Sequence, residues 1–477
     1  MIGDPASVFD MNGIRQAFGR EAAVFGHAVA AAAYSMDLTA FQEEGFDDLS
    51  CRINSEIMTG LDFSGGPTFR DSLNRAAQNL LVKARMRYAS PAVQLRGSLH
   101  PDENDHTKAV FMASGRGKYT LVVIGFTGTL KRLDDWVSNF DVRFEEGWHR
   151  GFLNLTREIE EAEEKIVFPE AAVRCGRDSL TLRDVIDECK GDRSRFRLFF
   201  AGHSQGAAVM QIYLSRLIER GVRPGYLSGI GFASPSVVYR RKEDAAEECM
   251  CHFMSSDDLI CRVGARYHLG ECRVLPMTDE GRAVMYGPDW EKPAFREALG
   301  IICRLKTSDE AMLMSIAALE CLSREKEETS VTEEVGLLTG LKRALTEKRD
   351  QYLARLWSAG EAGYLAASGE REISPARLDA CRRSVRALFG KYGPVEGFKA
   401  MVQCIGDAHR LTAPHSEGGP APYFMMVTDR YPDLVTGLEE PLISPLKLPG
   451  TPPRRGNGRR RSARGALPWA RRAAGRR

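Results

Sequence analysis

Short apolar runs alternate with longer amphipathic ones along the first part of the chain, and the hydrophobic period changes between them. "FRLFFA" (196–201) is unbroken and aromatic, which suits a buried strand. Behind it Ala207, Ala208, Ile212, Leu214, Leu217 and Ile218 recur at roughly helical spacing as far as Gly221, a glycine placed to stop a helix. The same alternation predicts buried strands in "KYTLVVIGF" (118–126), "GYLSGIGFASPSVV" (225–238), "CMCHFMSSDDLICRV" (249–263) and "RYHLGECRVL" (266–275). Hairpin-like pieces lie over 92–125, with "HPDENDH" (100–106) as their polar turn. Residues 20–60 read as helical. So do the charged residues 150–190, where the acids of "REIEEAEEK" are expected to form a solvated face. Strands alternating with helices predict an α/β fold around a mostly parallel central sheet.

The pattern changes near Pro288. Residues 1–288 form the expected α/β core, and 289–400, rich in Glu, Arg, Leu and Ala with few strand signals, read as a helical insertion or subdomain. Residues 401–438 are expected to return to the core. From Glu439 to 477 the chain is Pro- and then Arg-rich and is expected to be a disordered basic tail. Charge sharpens this division. The whole chain carries +2, but residues 450–477 hold ten arginines and no acid, so the body is acidic. The tail suits contact with phosphate-bearing surfaces, including an anionic membrane; no nucleic-acid recognition motif accompanies it. Eleven cysteines, with only Cys249 and Cys251 close together, match neither a metal site nor a disulfide framework. No cofactor or metal is expected. The N-terminal "MIGDPASVFD" has no basic region and no run is long enough to span a membrane, so a cytoplasmic protein is expected, with signal-independent export left open.

The turn between the first strand and helix carries the chemistry. Gly202-His203-Ser204-Gln205-Gly206 is a G-x-S-x-G motif in the strand–turn–helix context of a nucleophile elbow. The turn is so tight that Ser204 must take strained dihedrals and its neighbours must be small, which Gly202, Gly206 and Ala207 are. Ser204 is the expected nucleophile and the Gln205 backbone N–H an oxyanion donor at the helix start. His203 is expected to point away from the serine. In α/β-hydrolases the acid and then the base follow the nucleophile. Asp258, with Asp257 as its rival, ends an apolar strand. His268, His409 and His415 come later, and chain position favours His409 as the base, since an apolar stretch delivers it to a turn.

Several further motifs occur in order. Phe126-Thr127-Gly128-Thr129 with Asp135-Trp136 resembles the F-R-G-T/S and D-W of the class 3 (fungal-type) lipases, with Thr127 in place of the arginine. His149, Gly151 and Phe152 are similar to that family's V-H-x-G-F, and "FASPSVV" (232–238) to its G-S-P-R-V-G. "SSDDLICRV" (255–263) resembles N-x-x-D-x-V-P-R-L, with Cys261 in the proline position. "MVQCIGDAHRLTAPH" (401–415) loosely resembles the D-H-x-x-x-Y ending, with Ala413 in the tyrosine position.

The resemblance implies an α/β-hydrolase fold of class 3 lipase type, with Asp258 as triad acid, Thr129 as second oxyanion donor and His149 as a structural histidine. It also implies a lid over Leu130–Phe140 with Leu133, Trp136, Val137 and Phe140 on its apolar face. The implied activity is hydrolysis of lipid carboxylic esters, an acylglycerol lipase, through an acyl-serine intermediate. A phospholipase A, a short-chain esterase, and an inactive lipase-like scaffold for partner binding remain as alternatives.

Overall fold

The computed structural model describes residues 20–35, 87–94, 108–116, 119–128, 144–239, 245–265, 267–275, 277–305, 310, 313–314, 317–318, 372–411 and 422–427. Thr129, His415, the lid segment 130–140, the polar turn 100–106, most of the central helical stretch and the tail from 439 onward lie outside these residues.

The described strands are β1 (Arg87–Gln94), β2 (Lys108–Arg116), β3 (Tyr119–Phe126), β4 (Phe144–Glu145), β5 (Trp148–His149), β6 (Phe196–His203), β7 (Leu227–Phe232), β8 (Met250–Ser255) and β9 (Glu271–Leu275). The described helices are α1 (Arg20–Ser35), α2 (Arg150–Ala162), α3 (Pro169–Arg174), α4 (Leu182–Glu188), α5 (Gln205–Glu219), α6 (Asp279–Tyr286), α7 (Pro293–Arg304), α8 (Pro375–Tyr392), α9 (Pro394–His409) and α10 (Pro422–Val427). Seven strands form one sheet in the order β1-β2-β3-β6-β7-β8-β9, and β4 and β5 make a small separate ribbon. β1, β2 and β3 pair antiparallel, the pairings β3-β6, β6-β7, β7-β8 and β8-β9 are parallel, and the separate β4-β5 ribbon is antiparallel. This is the mostly parallel sheet of an α/β-hydrolase.

A parallel sheet covered on both faces needs strands that are apolar on both sides. β6 is buried at all eight positions. Its Phe199 and Ala201 enter one core with α1, α7, α8 and α9, while Phe196, Leu198 and Phe200 enter another with α2, α4 and α5. The helices after residue 288 therefore extend the sheet's own core: Ile302, Val385, Leu388 and Cys404 share a cluster with Phe232 and Phe253. The boundary read at residue 400 falls inside α9, so the helical segment and the histidine-bearing segment are continuous.

The acids of α2 are not all solvated. Glu163, which caps α2, is fully buried and accepts hydrogen bonds from Tyr213 Oη at 2.8 Å and from both Arg220 terminal nitrogens at 2.6 Å. Arg183 reaches it at 3.0 Å, and Glu160 beside it pairs with Arg216. The expectation of a solvated face fails here because partners some 50 residues away neutralise the charges, which local pattern cannot reveal. Glu163→Ala removes the carboxylate that holds both Arg220 terminal nitrogens and leaves only the more distant Glu160, at 3.9 Å. Stability should fall by about 3 kcal/mol, the low end for a broken buried ion pair, because the Arg220 side chain is 22% exposed. Urea unfolding measures this, and an unchanged midpoint would refute it.

Candidate active site

Ser204 sits between β6 and α5 with φ 55° and ψ −127°, a positive φ that costs a non-glycine residue on the order of 1–3 kcal/mol. The two glycines make that turn sterically feasible. A Cβ on Gly202 would stand 2.6 Å from the Gly206 carbonyl oxygen, and one on Gly206 would overlap the Thr127 carbonyl oxygen. The strained residue is tied down at both backbone groups. Its N–H donates to the Phe232 carbonyl at 2.9 Å, and its carbonyl accepts from Ala207 N–H at 2.9 Å. Gln205 opens α5, so its backbone N–H lies at the positive end of the helix, beside the buried Thr127-Gly128 end of β3.

Asp258 follows β8 on a short loop and is fully buried. Its Oδ1 accepts the Ile260 N–H at 2.9 Å. The neighbouring Asp257 is equally buried but faces another way. Arg282 of α6 donates to both of its oxygens at 2.8 Å, and Ser256 and Tyr286 add hydroxyl contacts. The two adjacent carboxylates thus have separate partners: Asp257 ties α6 to the sheet, and Asp258 faces the serine side.

His409 is the last residue of α9. Gly393, with φ 82°, and Pro394 start that helix, and Arg410 ends it by turning extended at φ −69°, ψ 143°. His409 Nδ1 lies 3.2 and 3.0 Å from the two Asp258 oxygens, and Nε2 lies 2.7 Å from Ser204 Oγ. A carboxylate only accepts, so the proton is on Nδ1; Nε2 is then the acceptor for the serine hydroxyl. The structure joins Ser204, His409 and Asp258 in one hydrogen-bonded line.

Four supports were not assigned from the sequence. Tyr423 of α10 donates its hydroxyl to Asp258 Oδ2 at 2.7 Å and accepts Ser255 N–H at 3.0 Å. It stands ten residues beyond Ala413, the position where the motif carries tyrosine, and only its lone polar tip in the apolar "PYFMMV" marks it. The Cys261 thiol lies 3.3 Å from the same Asp258 oxygen. Two neutral histidines hold the backbone around the base. His203 Nε2–H donates to the His409 carbonyl at 2.7 Å and His27 Nε2–H of α1 to the Leu411 carbonyl at 3.0 Å. Burial pushes His203 well below the usual histidine range and His27 to about 4, so both remain uncharged donors at neutral pH. His203 packs toward the base: its ring centroid is 4.9 Å from that of His409.

The other predicted residues fall elsewhere. His268 donates Nε2–H to the Ser234 carbonyl at 2.7 Å, and burial lowers it to about 4. His149 is buried with its ring stacked on Phe152 at 3.9 Å. Thr129 and His415 are outside the described residues. Among the described residues nine cysteines are free thiols, and no helix is long and apolar enough to cross a membrane.

Residues 123–268 match the model of the class 3 lipase family. The matched segment includes Ser204 and Asp258 and ends before His409. Solved structures with similarity include the Rhizomucor miehei lipase in complex with its propeptide, at 13% identity over 53% of this chain and 67% of that one, TM-score 0.31. A fungal lipase–inhibitor complex matches at 13% identity over 49% of this chain and 82% of that one, TM-score 0.29. The M37 lipase matches at 12% identity over 80% of this chain and 94% of that one, TM-score 0.32. No curated protein matches the chain.

Proposed function

We propose that this chain, whose residues 123–268 match the class 3 lipase family, hydrolyses lipid carboxylic esters through an acyl-serine intermediate. The observation that carries the reading is the line Ser204 Oγ–His409 Nε2 at 2.7 Å and His409 Nδ1–Asp258 at 3.0 Å, since these distances suit proton transfer from a nucleophile to a general base. Ser204 Oγ attacks the ester carbonyl as His409 Nε2 takes its proton. The resulting imidazolium is stabilised by the Asp258 carboxylate, which stays ionised throughout. The oxyanion is met by the Gln205 backbone N–H and by Thr129, two residues beyond the Thr127 carbonyl that packs on Gly206. His409 then protonates the leaving alcohol. Water, activated by the same imidazole, releases the acid.

Acylglycerols are the substrate class this reading favours, with phospholipids and short-chain esters as the alternatives an ester panel separates. An inactive scaffold would have no need to hold a strained serine, a tautomer-fixed histidine and a buried carboxylate in one line. A fluorophosphonate probe is expected to label Ser204 in the native chain and to be blocked by prior incubation with a hydrolysable ester. Absence of labelling in folded protein favours the scaffold.

The tail is the second element of the reading. With ten arginines and no acid over 450–477, it would bring the enzyme to anionic lipid. Each basic residue near such a surface contributes about 1 kcal/mol, less as salt rises. Deleting 450–477 should leave turnover of soluble esters unchanged and weaken binding to phosphatidylserine-containing vesicles. Vesicle binding that survives the deletion, or is indifferent to salt, would exclude the tail as a tether.

A further inference from the structure

The Asp258 carboxylate is held from more sides than its contact with His409 requires. Ile260 N–H reaches Oδ1 at 2.9 Å, and the Tyr423 hydroxyl reaches Oδ2 at 2.7 Å. A third donor is the Cys261 thiol, whose sulfur lies 3.3 Å from Oδ2 and 3.5 Å from the Tyr423 oxygen. Tyr423 accepts Ser255 N–H and spends its single proton on Oδ2. The single S–H of Cys261 has two acceptors in reach, and the ionised carboxylate is the stronger of them. Cys261 is 2% exposed, and burial together with the neighbouring carboxylate pushes its thiol well above the ordinary range, so the sulfur keeps its proton.

Resting on the reading of Ser204, His409 and Asp258 as a triad, we propose that Cys261 is a positioning residue for the triad acid: its S–H, paired with the Tyr423 hydroxyl on Oδ2, fixes the carboxylate plane and moderates the charge presented to His409. With Oδ1 pinned by Ile260 and Oδ2 by two side-chain donors, rotation about the Cβ–Cγ bond breaks three hydrogen bonds, so the carboxylate stays aligned on Nδ1. The groups facing the carboxylate are His409 from α9, Tyr423 from α10, and Cys261 and the Ile260 N–H from its own loop. Arg262, next in the chain, donates its guanidinium instead to the Ile302, Leu305 and Ser256 carbonyls.

The test compares pH profiles of kcat/KM on a soluble ester for the full chain, Cys261→Ala and Cys261→Ser. The two replacement side chains are nearly equal in volume and differ by one hydroxyl donor. In the alanine variant more charge remains on Oδ2 and a protonated His409 is favoured. Its acid limb is expected to move to higher pH by about half a pH unit, about threefold in kcat/KM along that limb, with the serine variant returning toward wild type. A limb unmoved by alanine overturns the proposal, and so does one displaced equally by serine. If Cys261→Ala does not fold, Cys261→Val also lacks the donor while filling the space, and must show the same displacement. A native chain that neither turns over esters nor takes the fluorophosphonate label overturns the hydrolase reading and this role with it. A native chain that does both, beside an unmoved limb, overturns the Cys261 role alone.

Discussion

Ser204→Ala is expected to abolish ester hydrolysis, lowering kcat by about 10⁶-fold, the scale on which removing the nucleophile of a serine–histidine–aspartate site acts. The fold should be unaffected. Ser204 makes its structural contacts through the backbone, from its N–H to Phe232 and from its carbonyl to Ala207, and alanine keeps both. The positive φ is imposed by the turn, so alanine bears the same strain. What is lost is the one oxygen that faces His409 Nε2. Fluorophosphonate labelling should vanish with activity, while urea unfolding should stay near wild type. Turnover close to wild type by this folded variant would remove the basis for a covalent mechanism.

The elbow was legible because its causes are local. A buried strand, an amphipathic helix and glycines at 202 and 206 lie within a single stretch of chain, and the clash a Cβ would meet at either glycine is visible in the residue type alone. Asp257 and Asp258 follow β8, which ends at Ser255, so strand alternation does not separate them; their distinct partners do, Arg282 for Asp257 and His409 for Asp258. The sheet followed from short apolar runs, each long enough for one strand buried on both faces.

What was hidden depends on contacts between distant segments. Composition divided the chain at 400, yet α9 runs through that point, because helix-forming residues continue from the helical segment into the turn that carries the base. Tyr423 was missed because it stands fourteen residues after His409 in the sequence, farther than the motif places its tyrosine, and its hydroxyl reaches Asp258 from a separate helix. The Cys261 thiol was read only as a departure from a proline. For His203 the local pattern could not reveal that the end of α9 would lie against it. Glu163 looked like any acid on a charged helix until Arg220 and Tyr213 closed over it.

His409→Ala is the complementary test, and its value lies in non-additivity. The imidazole is the only group among the described residues within hydrogen-bond reach of both Ser204 Oγ and the Asp258 carboxylate. Without it the serine hydroxyl has no base and the carboxylate no imidazole to orient, so kcat should again fall by about 10⁶-fold. Residues acting as one unit lose nearly everything at the first deletion, so Ser204→Ala/His409→Ala should be no slower than either single variant. Two independent contributions would instead multiply. The rival histidine gives the contrast. His268→Ala removes a buried donor to the Ser234 carbonyl and should lower stability by about 1–3 kcal/mol while leaving kcat nearly intact. If His409→Ala retains more than about a tenth of wild-type kcat, a loss under about 1.4 kcal/mol, the base is another residue and His415 becomes the next to replace. A donor on Nδ1 with an acceptor on Nε2 has a finer consequence. His409→Gln can offer a donor to Asp258 but cannot take the serine proton and become a cation. It should therefore be as inactive as alanine even where it restores stability, which distinguishes a lost base from a lost packing contact.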